Sequence, residues 1–321
     1  MKNNERTEND MRKNLTNKVK KLITDPSYRF TKLRDFGLYN RLSDKDYLEK
    51  AYYYLMNRRL NLASPKAYTE KLQWLKLYDR RDVYTSMVDK ANAKTFICDV
   101  LGTDEFCIDT LGVWKNTDEI DIDKLPRQFV LKCTHDSGGI VICKDKETFN
   151  WNESRKVLEH GLKSSFYLIT RESQYKNVIP QIIGEPYVED NRTGELRDYK
   201  FFCFDGKAKA LFVATDRQKP GEETKFDFFD IEYNHLPIIN GHPNAAIPPE
   251  KPLNFDLMIA LAEKVSAGFP HVRVDFYEAN GKLYIGELTL HHFSGFTPFI
   301  PDEWDYKFGD WLTLPINENL N

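Results

Sequence analysis

Residues 269–296 read FPHVRVDFYEANGKLYIGELTLHHFSGF, two runs of alternating side chains separated by Asn280-Gly281. Alternation of this kind predicts two β-strands, because successive side chains of a strand point to opposite faces. Asn-Gly is the strongest short signal for a hairpin turn between them. Antiparallel neighbours lie about 5 Å apart. We therefore expect Asp275 of the first strand to meet Glu287 of the second, beside Arg273.

Two carboxylates at this distance repel each other unless a cation lies between them. Oxygen ligands suit Mg²⁺, which proteins hold with one or two carboxylates together with substrate phosphates. The hairpin therefore predicts a magnesium site at Asp275 and Glu287. An ordinary solvated hairpin face with a surface salt bridge is the alternative that this stretch leaves open.

The composition describes a folded chain of 321 residues, with 13% aromatic and 30% charged residues. That length allows two or three structural units. A net charge of −3 argues against non-specific nucleic-acid binding, which requires a basic surface. No apolar run approaches the roughly 20 residues that span a bilayer, and the first residues lack the apolar region of a signal peptide. Five scattered cysteines without a CxxC pair fit reduced thiols. We expect a cytoplasmic protein.

The N-terminal region combines basic and apolar residues. Residues 1–14 are polar and predict disorder, and the apolar residues that follow recur at helical spacing. A basic amphipathic helix can lie on an anionic membrane surface or dock on the rest of the protein, and the small apolar face favours docking. The apolar residues are Leu15, Val19, Leu22 and Ile23, with Lys18, Lys20 and Lys21 alongside.

A lysine inside an apolar strand marks a second candidate site. Lys132 lies in the predicted strand QFVLKC, where burial is costly without an anionic partner. THDSGG follows at residues 134–139, and a turn of this kind lets backbone N–H groups approach a phosphate. A purely structural hairpin turn is the alternative, and the absence of GxxxxGK[ST] excludes a Walker A loop. The turn residues expected at a phosphate are Thr134, Ser137, Gly138 and Gly139.

Two longer segments complete the prediction. Residues 152–175 predict one helix. Residues 216–252 read as a long loop, of the kind that often serves as a lid or substrate clamp. Between them, Asp198 and Lys200 share one face of a predicted strand.

In this order the motifs carry a resemblance to a known family. The sequence is similar to ATP-grasp proteins, and more closely resembles the TupA-like ATP-grasp family found with bacterial capsule and teichuronopeptide biosynthesis. The resemblance covers about residues 50–315. The matching stretches are YTEKLQWLKLYD (68–79), DKANAK (89–94), KLPRQFVLKCTHDSGG (124–139), DYKFFCFDGKAK (198–209), FPHVRVDFY (269–277), GELT (286–289) and EWDYKFGDW (303–311).

The resemblance implies an α+β chain with the ATP-grasp fold, in which two α/β subdomains grip a nucleotide after a helical N-terminal region. It implies a tail and helical region at residues 1–85, a first ATP-grasp subdomain at 86–185, and a second, with the metal-binding strands, at 186–315. ATP and Mg²⁺ are the cofactors that it implies.

The resemblance also assigns roles to residues. Lys132 and the 134–139 turn would hold the nucleotide phosphates, with Lys200 as a second phosphate lysine. Arg273 would stabilise charge on the transferring phosphoryl group. The hinge that receives adenine and ribose would be Glu185, Tyr187, Val188 and Glu189. The metal ligands would be Asp275, Glu287 and Thr289, the last at a position where D-alanine–D-alanine ligases have an asparagine.

Two departures from the family pattern concern the substrate side. Asp136 stands where a glycine is expected, and a carboxylate there is unfavourable unless it points outward or meets a metal. LHHFSGF follows Glu287 in place of a turn richer in proline and glycine. His291 and His292 either touch substrate or divide between one buried and one solvated position, as adjacent histidines commonly do.

The implied activity is that of an ATP-dependent carboxylate–amine ligase working through an acyl phosphate. The carboxylate would come from a uronic acid or an amino acid, and an amine would be joined to it, on a precursor of a bacterial surface polysaccharide. One alternative is a glycosyltransferase, for which Asp121-Ile122-Asp123 supplies a DxD pattern in an acidic turn. Another is a non-catalytic nucleotide-binding scaffold of capsule assembly, against which the intact Lys132, Arg273, Asp275 and Glu287 argue.

Overall fold

The computed structural model describes residues 18–136, 138–217, 219 and 221–315. The chain divides into two compact units, Met1–Asn61 and Leu62–Asn321. The predicted disorder of residues 1–14 and the predicted helical position of Leu15 lie outside the described residues. The predicted boundaries after residues 85 and 185 stay predictions. No helix in the described ranges is long and apolar enough to cross a membrane.

Aromatic packing holds the helices of the first unit together. Residues 18–24 are helical, and α1 (Pro26–Asp35) and α2 (Asp44–Met56) follow. Asp25 caps α1, because its carboxylate accepts a hydrogen bond from a backbone N–H of the first turn at 3.0 Å. Phe30 of α1 is buried and stacks on two tyrosine rings at centroid distances of 5.1 and 5.5 Å.

Antiparallel sheets form the framework of the second unit. Its strands are β1 (Gly112–Trp114), β2 (Phe129–Cys133), β3 (Ile140–Cys143), β4 (Ile182–Pro186), β5 (Asp198–Phe204), β6 (Lys207–Thr215), β7 (Lys225–Asp230), β8 (His235–Leu236), β9 (Ile239–Asn240), β10 (His271–Ala279), β11 (Lys282–Thr289) and β12 (Phe299–Ile300). A six-stranded sheet has the order β11-β10-β5-β6-β7-β8, a four-stranded sheet has the order β1-β4-β2-β3, and β9 pairs with β12.

Helices cover both faces of the six-stranded sheet. The helices of the second unit are α3 (Tyr68–Tyr78), α4 (Val83–Val88), α5 (Asn92–Leu101), α6 (Trp151–Lys163), α7 (Phe166–Thr170), α8 (Phe255–Ser266) and α9 (Glu303–Trp311). Phe201 and Cys203 of β5 pack with α4, α5 and α8, whereas Phe202 and Phe204 pack with α3 and α9. Every residue of β5 is consequently buried, as expected for a strand covered on both faces.

The hairpin predicted within residues 269–296 is confirmed as β10 and β11. Asn280 and Gly281 form its turn with φ angles of 53° and 79°, the left-handed conformations that a two-residue hairpin turn requires. Asp275 stands opposite Glu287 on one side and opposite Lys200 of β5 on the other. The sheet therefore brings the predicted charged residues into one row.

Two predicted elements differ from the structure. The segment read as a loop at 216–252 contains β7, β8 and β9. Four consecutive residues of β7 are buried, so its sequence lacks the polar–apolar alternation of a half-exposed strand. The helix predicted at 152–175 breaks at Ser164 between α6 and α7, because the Ser164 hydroxyl and N–H both donate to the carbonyl of Gly161 at 2.8 and 3.0 Å.

Candidate active site

A cavity of about 270 Å³ lies against β2, β3 and the end of β4, and we call it the hinge cavity. Three of the four predicted hinge residues, Glu185, Tyr187 and Val188, line it together with Lys132. The fourth, Glu189, lines a neighbouring pocket of about 70 Å³. Apolar walls with a few polar groups are typical of sites for planar organic ligands. The remaining lining residues are Ile108, Val130, Ile140, Ile142, Pro186, Leu196, Arg217 and Tyr277.

Lys132 pairs with the hinge carboxylate. Its ammonium nitrogen lies 2.5 Å from Glu185 Oε2, and that of Lys94 lies 2.8 Å from Oε1. Burial raises the pKa of Glu185, but the charges of the two lysines outweigh it and hold the pKa below its ordinary value. Two ammonium groups around one carboxylate leave a surplus positive charge, which favours an anionic ligand. Lys94 belongs to the DKANAK stretch, but no role is predicted for it.

The Asp136 carboxylate is hydrogen-bonded within the glycine turn between β2 and β3. The N–H of Gly139 donates to both oxygens of the Asp136 carboxylate at 3.1 Å, so this N–H is already occupied. Lys90 donates to the backbone carbonyl of Asp136. A Cβ atom at Gly139 would lie 2.5 Å from the sulfur of Cys133. Close packing therefore requires this glycine, and the Asp136 carboxylate points inward onto its own turn.

The other predicted turn residues are not gathered in one place. Thr134 is fully buried, and its hydroxyl has no hydrogen-bond partner among the described residues. Gly138 is exposed and lines a separate groove of about 600 Å³ beside α6. Ser137 lies outside the described residues. The phosphate-binding roles of these residues stay predictions.

A second cavity, of about 520 Å³, collects the charged residues of the six-stranded sheet, and we call it the reaction cavity. Lys200, Arg273, Glu287 and Thr289 line one side of it. Aromatic rings, both adjacent histidines and several further charged or hydroxyl side chains line the rest. These other lining residues are Asp136, Phe166, Glu172, Tyr175, Phe212, Arg217, Thr224, Phe226, His242, His291, His292, Phe293 and Ser294.

Asp275 is buried behind this wall and held by two cations. Arg273 Nε donates to Oδ1 and Nη2 to Oδ2, both at 2.7 Å, and Lys200 also pairs with Oδ2. Burial raises the pKa of Asp275, but the charges of Arg273 and Lys200 outweigh it and hold the pKa below its ordinary value. Both carboxylate oxygens are thus engaged by basic side chains.

The oxygen donors predicted for Mg²⁺ fit that ion by their chemistry. Glu287 and Thr289 line the reaction cavity, and Asp275 stands opposite Glu287 in the hairpin. The Thr289 hydroxyl accepts a hydrogen bond from Arg273 at 2.9 Å. Within the described ranges no three His, Cys, Asp or Glu side chains are grouped to hold a metal. Such a site would therefore depend on substrate phosphates for its remaining ligands, and its residues stay a prediction.

His292 positions Arg273. A guanidinium can only donate, so His292 Nδ1, at 2.7 Å from Arg273 Nη1, is the acceptor. His292 Nε2–H then donates to Asn240 Oδ1 at 2.8 Å. The amide nitrogen of Asn240 donates to the carbonyls of Thr297 and Pro298 at 3.1 Å, which fixes its orientation. Burial, followed by the charge of Arg273, lowers the pKa of His292 well below its ordinary value and keeps the ring neutral.

His291 belongs to a second buried network. Its Nδ1 lies 3.1 Å from Gln174 Nε2 and 3.3 Å from Glu172 Oε2. The hydroxyl of Ser294 donates to Glu172 Oε1 at 2.5 Å. Burial raises the pKa of Glu172, but His291 and the other donors outweigh it, so the carboxylate is held ionised. His291 and His292 are both buried, and the predicted alternative of one solvated histidine is wrong.

Arg217 lines both cavities. Its guanidinium pairs with Asp198, a fully buried carboxylate, and Lys200 lies 3.6 Å from the same oxygen. Sequence reasoning missed Arg217 and Glu172. A basic residue at the start of the predicted lid segment was the available signal for Arg217. Nothing local marks Glu172 as a site residue, because the partner of its carboxylate nearby in sequence is Gln174, whereas Ser294 and His291, which tie it to the cavity wall, lie more than 100 residues away.

A family match covers this whole arrangement. The family described as "TupA-like ATPgrasp" matches residues 70–313. This chain belongs to that family. Its α+β architecture is therefore the ATP-grasp fold. The matched range contains both cavities and every residue for which a site role is predicted.

Solved ATP-grasp structures resemble this TupA-like chain at low sequence identity. D-alanine–D-alanine ligase from Bacillus anthracis, complexed with ATP, is 14% identical, with a TM-score of 0.37 over 64% of this chain and 53% of that chain. The Helicobacter pylori enzyme is 12% identical, with a TM-score of 0.38 over 76% and 69%. The ATP-grasp ligase PsnB, complexed with minimal precursor, Mg and ADP, is 10% identical, with a TM-score of 0.36 over 69% and 57%. The chain thus spans 53% to 69% of the length of these three structures. No curated protein matches significantly.

Proposed function

We propose that this protein is an ATP-dependent carboxylate–amine ligase. The observation that carries the proposal is that Arg217 lines both the hinge cavity and the reaction cavity. A nucleotide with its base in the hinge cavity would direct its phosphates past Lys132 and Arg217 towards Arg273. Positive side chains at that junction suit a polyphosphate chain.

The reaction needs positioning and charge neutralisation more than covalent help from the protein. A substrate carboxylate attacks the γ-phosphorus of ATP, which forms an acyl phosphate and releases ADP. An amine then attacks the acyl carbon, loses a proton and releases inorganic phosphate as the amide forms. Arg273 suits the phosphoryl group because its planar guanidinium binds two oxygens at once, and His292 holds it in place. Glu287, Thr289 and Asp275 would hold Mg²⁺, which when bound neutralises phosphate charge.

The proposed substrates are a uronic acid or an amino acid as the carboxylate and an amine as the acceptor, in the synthesis or modification of a bacterial surface polysaccharide. The reaction cavity supports a polar ligand with an apolar face. Phe212 and Phe226 lie 4.4 Å apart between ring centroids, beside the charged groups of the cavity wall. The surface-polysaccharide context is supported by the resemblance of the sequence to proteins of capsule clusters.

The contacts of the Asp121-Ile122-Asp123 motif do not favour the glycosyltransferase alternative. Asp121 accepts a hydrogen bond from the Asp123 N–H at 3.1 Å and pairs with Lys124 at 3.1 Å. Its side chain is half exposed, with a relative exposure of 49%. These contacts describe the cap of a short surface turn and not a nucleotide-sugar site.

The test is ADP release from ATP and Mg²⁺ with panels of uronic and amino acids, using hydroxylamine as the trapping amine. A ligase of this class releases ADP only with a suitable carboxylate and yields a hydroxamate. Glu287→Gln and Asp275→Asn should each lower turnover at least about 100-fold, the scale of losing one preorganised electrostatic group. The exposed Glu232→Gln is the control and should retain turnover.

Two results would count against the proposal. Absence of carboxylate-dependent ADP release across the panels would contradict the ligase activity. Unchanged ADP production in both folded variants would refute the metal assignment and leave the ligase activity standing. Far-UV circular dichroism of each variant separates lost chemistry from lost structure.

A further inference from the structure

The charges of this protein are unevenly divided between its two compact units. Residues 1–61 carry 15 Lys and Arg against 8 Asp and Glu, a net charge of +7. Residues 62–321 carry 31 against 41, a net charge of −10. Within the described part of the first unit, residues 18–61 carry a net charge of +6. A basic unit attached to an acidic one is the pattern of a protein that binds an anionic surface.

The same unit exposes large apolar side chains. Phe36 is 87% exposed, Ile23 71%, Leu38 65% and Val19 48%. Single exposed apolar residues are ordinary, but a concentration of them marks an interaction surface. All four fall within 20 residues of sequence and lie among lysines and arginines.

The turn that carries Phe36 and Leu38 is firmly held. It ends α1 with Gly37 in the left-handed conformation at φ 76°, and the Leu38 N–H donates back to a carbonyl of α1 at 3.1 Å. The next residue, Tyr39, stacks on buried Phe30 at 5.1 Å between ring centroids. Because both ends of the turn are anchored, its two apolar side chains are presented to solvent by a fixed backbone.

Cations surround these apolar side chains. Lys32 and Arg34 lie in the last turn of α1, directly before Phe36, and share one carboxylate, that of Asp35, at 3.6 and 2.9 Å, so the turn keeps a net positive charge. Exposed lysines flank Val19 and Ile23 in the helical residues 18–24. Apolar side chains that enter the acyl boundary beside cations that meet headgroups are the defining features of a peripheral membrane-binding surface. We propose that the N-terminal unit binds an anionic phospholipid surface through Phe36, Leu38 and the neighbouring basic side chains.

Charge alone would suit a nucleic acid equally well. The apolar side chains distinguish the two partners, because aliphatic groups such as those of Leu38 and Ile23 stay in water on a phosphate backbone. They leave water at a lipid interface, where burial of apolar area adds to the attraction between charges. The proposal rests on the first unit alone and does not depend on the proposed ligase activity.

The test is co-sedimentation of the full chain with vesicles of phosphatidylcholine, alone or mixed with phosphatidylglycerol. Binding is expected only to the mixed vesicles and should weaken with added salt. The double variant Phe36→Ser, Leu38→Ser should weaken it about tenfold or more. The matched control is Ile247→Ser, Leu253→Ser, two residues of the second unit that are 85% and 70% exposed, and it should bind as the unchanged protein does.

A charge variant gives a second, independent measurement. Lys18→Ala, Lys20→Ala, Lys21→Ala should weaken binding to the mixed vesicles, whereas Lys124→Ala, Lys156→Ala in the second unit should not. Failure to bind mixed vesicles, or equal binding by the Phe36/Leu38 variant and its control, would overturn the proposal. Binding to RNA or DNA that the charge variant removes, without vesicle binding, would assign the basic unit to nucleic acid instead.

Discussion

The pKa of Lys76 shows how strongly burial in this fold changes a single side chain. Its side chain is almost completely buried, and its nitrogen donates to the carbonyls of Thr170 and Ser294 at 2.9 and 2.7 Å. The same nitrogen lies 4.4 Å from the centre of the Phe296 ring. Burial lowers the pKa of Lys76 to about 7, although the charge of Glu172 opposes the shift. Lys76 thus belongs to the network that carries His291 at the wall of the reaction cavity.

The lowered pKa predicts a pH-dependent stability. Between about pH 7 and pH 10 the unfolded chain holds a proton on Lys76 that the folded chain has lost, so the free energy of unfolding rises with pH across this window. The contribution of one such group approaches about 1.4 kcal/mol per pH unit. Urea unfolding of Lys76→Met across the window should show a correspondingly flatter pH dependence. Exposed Lys156→Met serves as the control, and equal slopes in the two variants would contradict the buried, titrating lysine.

At the scale of elements, the glycine turn between β2 and β3 is shaped by packing. Cβ atoms at Gly139 and at Gly161 of α6 would lie 2.5 and 2.7 Å from the sulfur of Cys133, whereas one at Gly138 would meet no described atom within 4 Å. Gly139→Ala should therefore lower the free energy of unfolding by about 1–3 kcal/mol, as overpacking does. Gly138→Ala should change it by less than about 0.5 kcal/mol. Chemical denaturation of the two variants tests this prediction, and equal stabilities would show that the side chains of Cys133 and Asp136 can move away from the added methyl group.

The elements also show what could be predicted from the sequence. The β10–β11 hairpin was predictable because its alternation and its Asn280-Gly281 turn are local properties of the chain. The inward orientation of Asp136 could not be predicted, because it depends on the packing of α6 against Gly139, two segments that only the tertiary structure brings together. Strand β7 was missed since burial of consecutive residues removes the period of two. Glu172 and Arg217 could not be predicted because the groups that place them in the site are brought to them by the fold: Ser294 and His291 for Glu172, and Asp198 for Arg217.

At the scale of the whole second unit, the two cavities explain why the site is built from two sheets. The four-stranded sheet supplies Lys132 and Glu185 to the hinge cavity, and the six-stranded sheet supplies Lys200 and Arg273 to the reaction cavity. The cationic side chains of Lys132, Lys200 and Arg273 each already have a carboxylate partner in this structure. Phosphates would therefore compete with Glu185 and Asp275 for these cations. Removal of Lys132 or Lys200 would leave Glu185 or Asp275 with one cation fewer, and so with less positive charge to attract a phosphate. We therefore expect nucleotide binding to be sensitive to the loss of either lysine.

Nucleotide binding should accordingly stabilise the fold. A non-hydrolysable ATP analogue with Mg²⁺ at 100 times its Kd should add about 2.7 kcal/mol to the free energy of unfolding. Lys132→Ala should abolish most of this gain, since it removes the cation between the hinge cavity and the glycine turn. The unliganded variant should stay folded because Lys94 still pairs with Glu185. Lys209→Ala, an exposed lysine on β6, is the matched control and should respond to nucleotide as the unchanged protein does. Thermal shift and calorimetry with ADP, the ATP analogue and UDP-sugars measure this directly, and stabilisation by UDP-sugars alone would exclude the ligase and favour a glycosyltransferase.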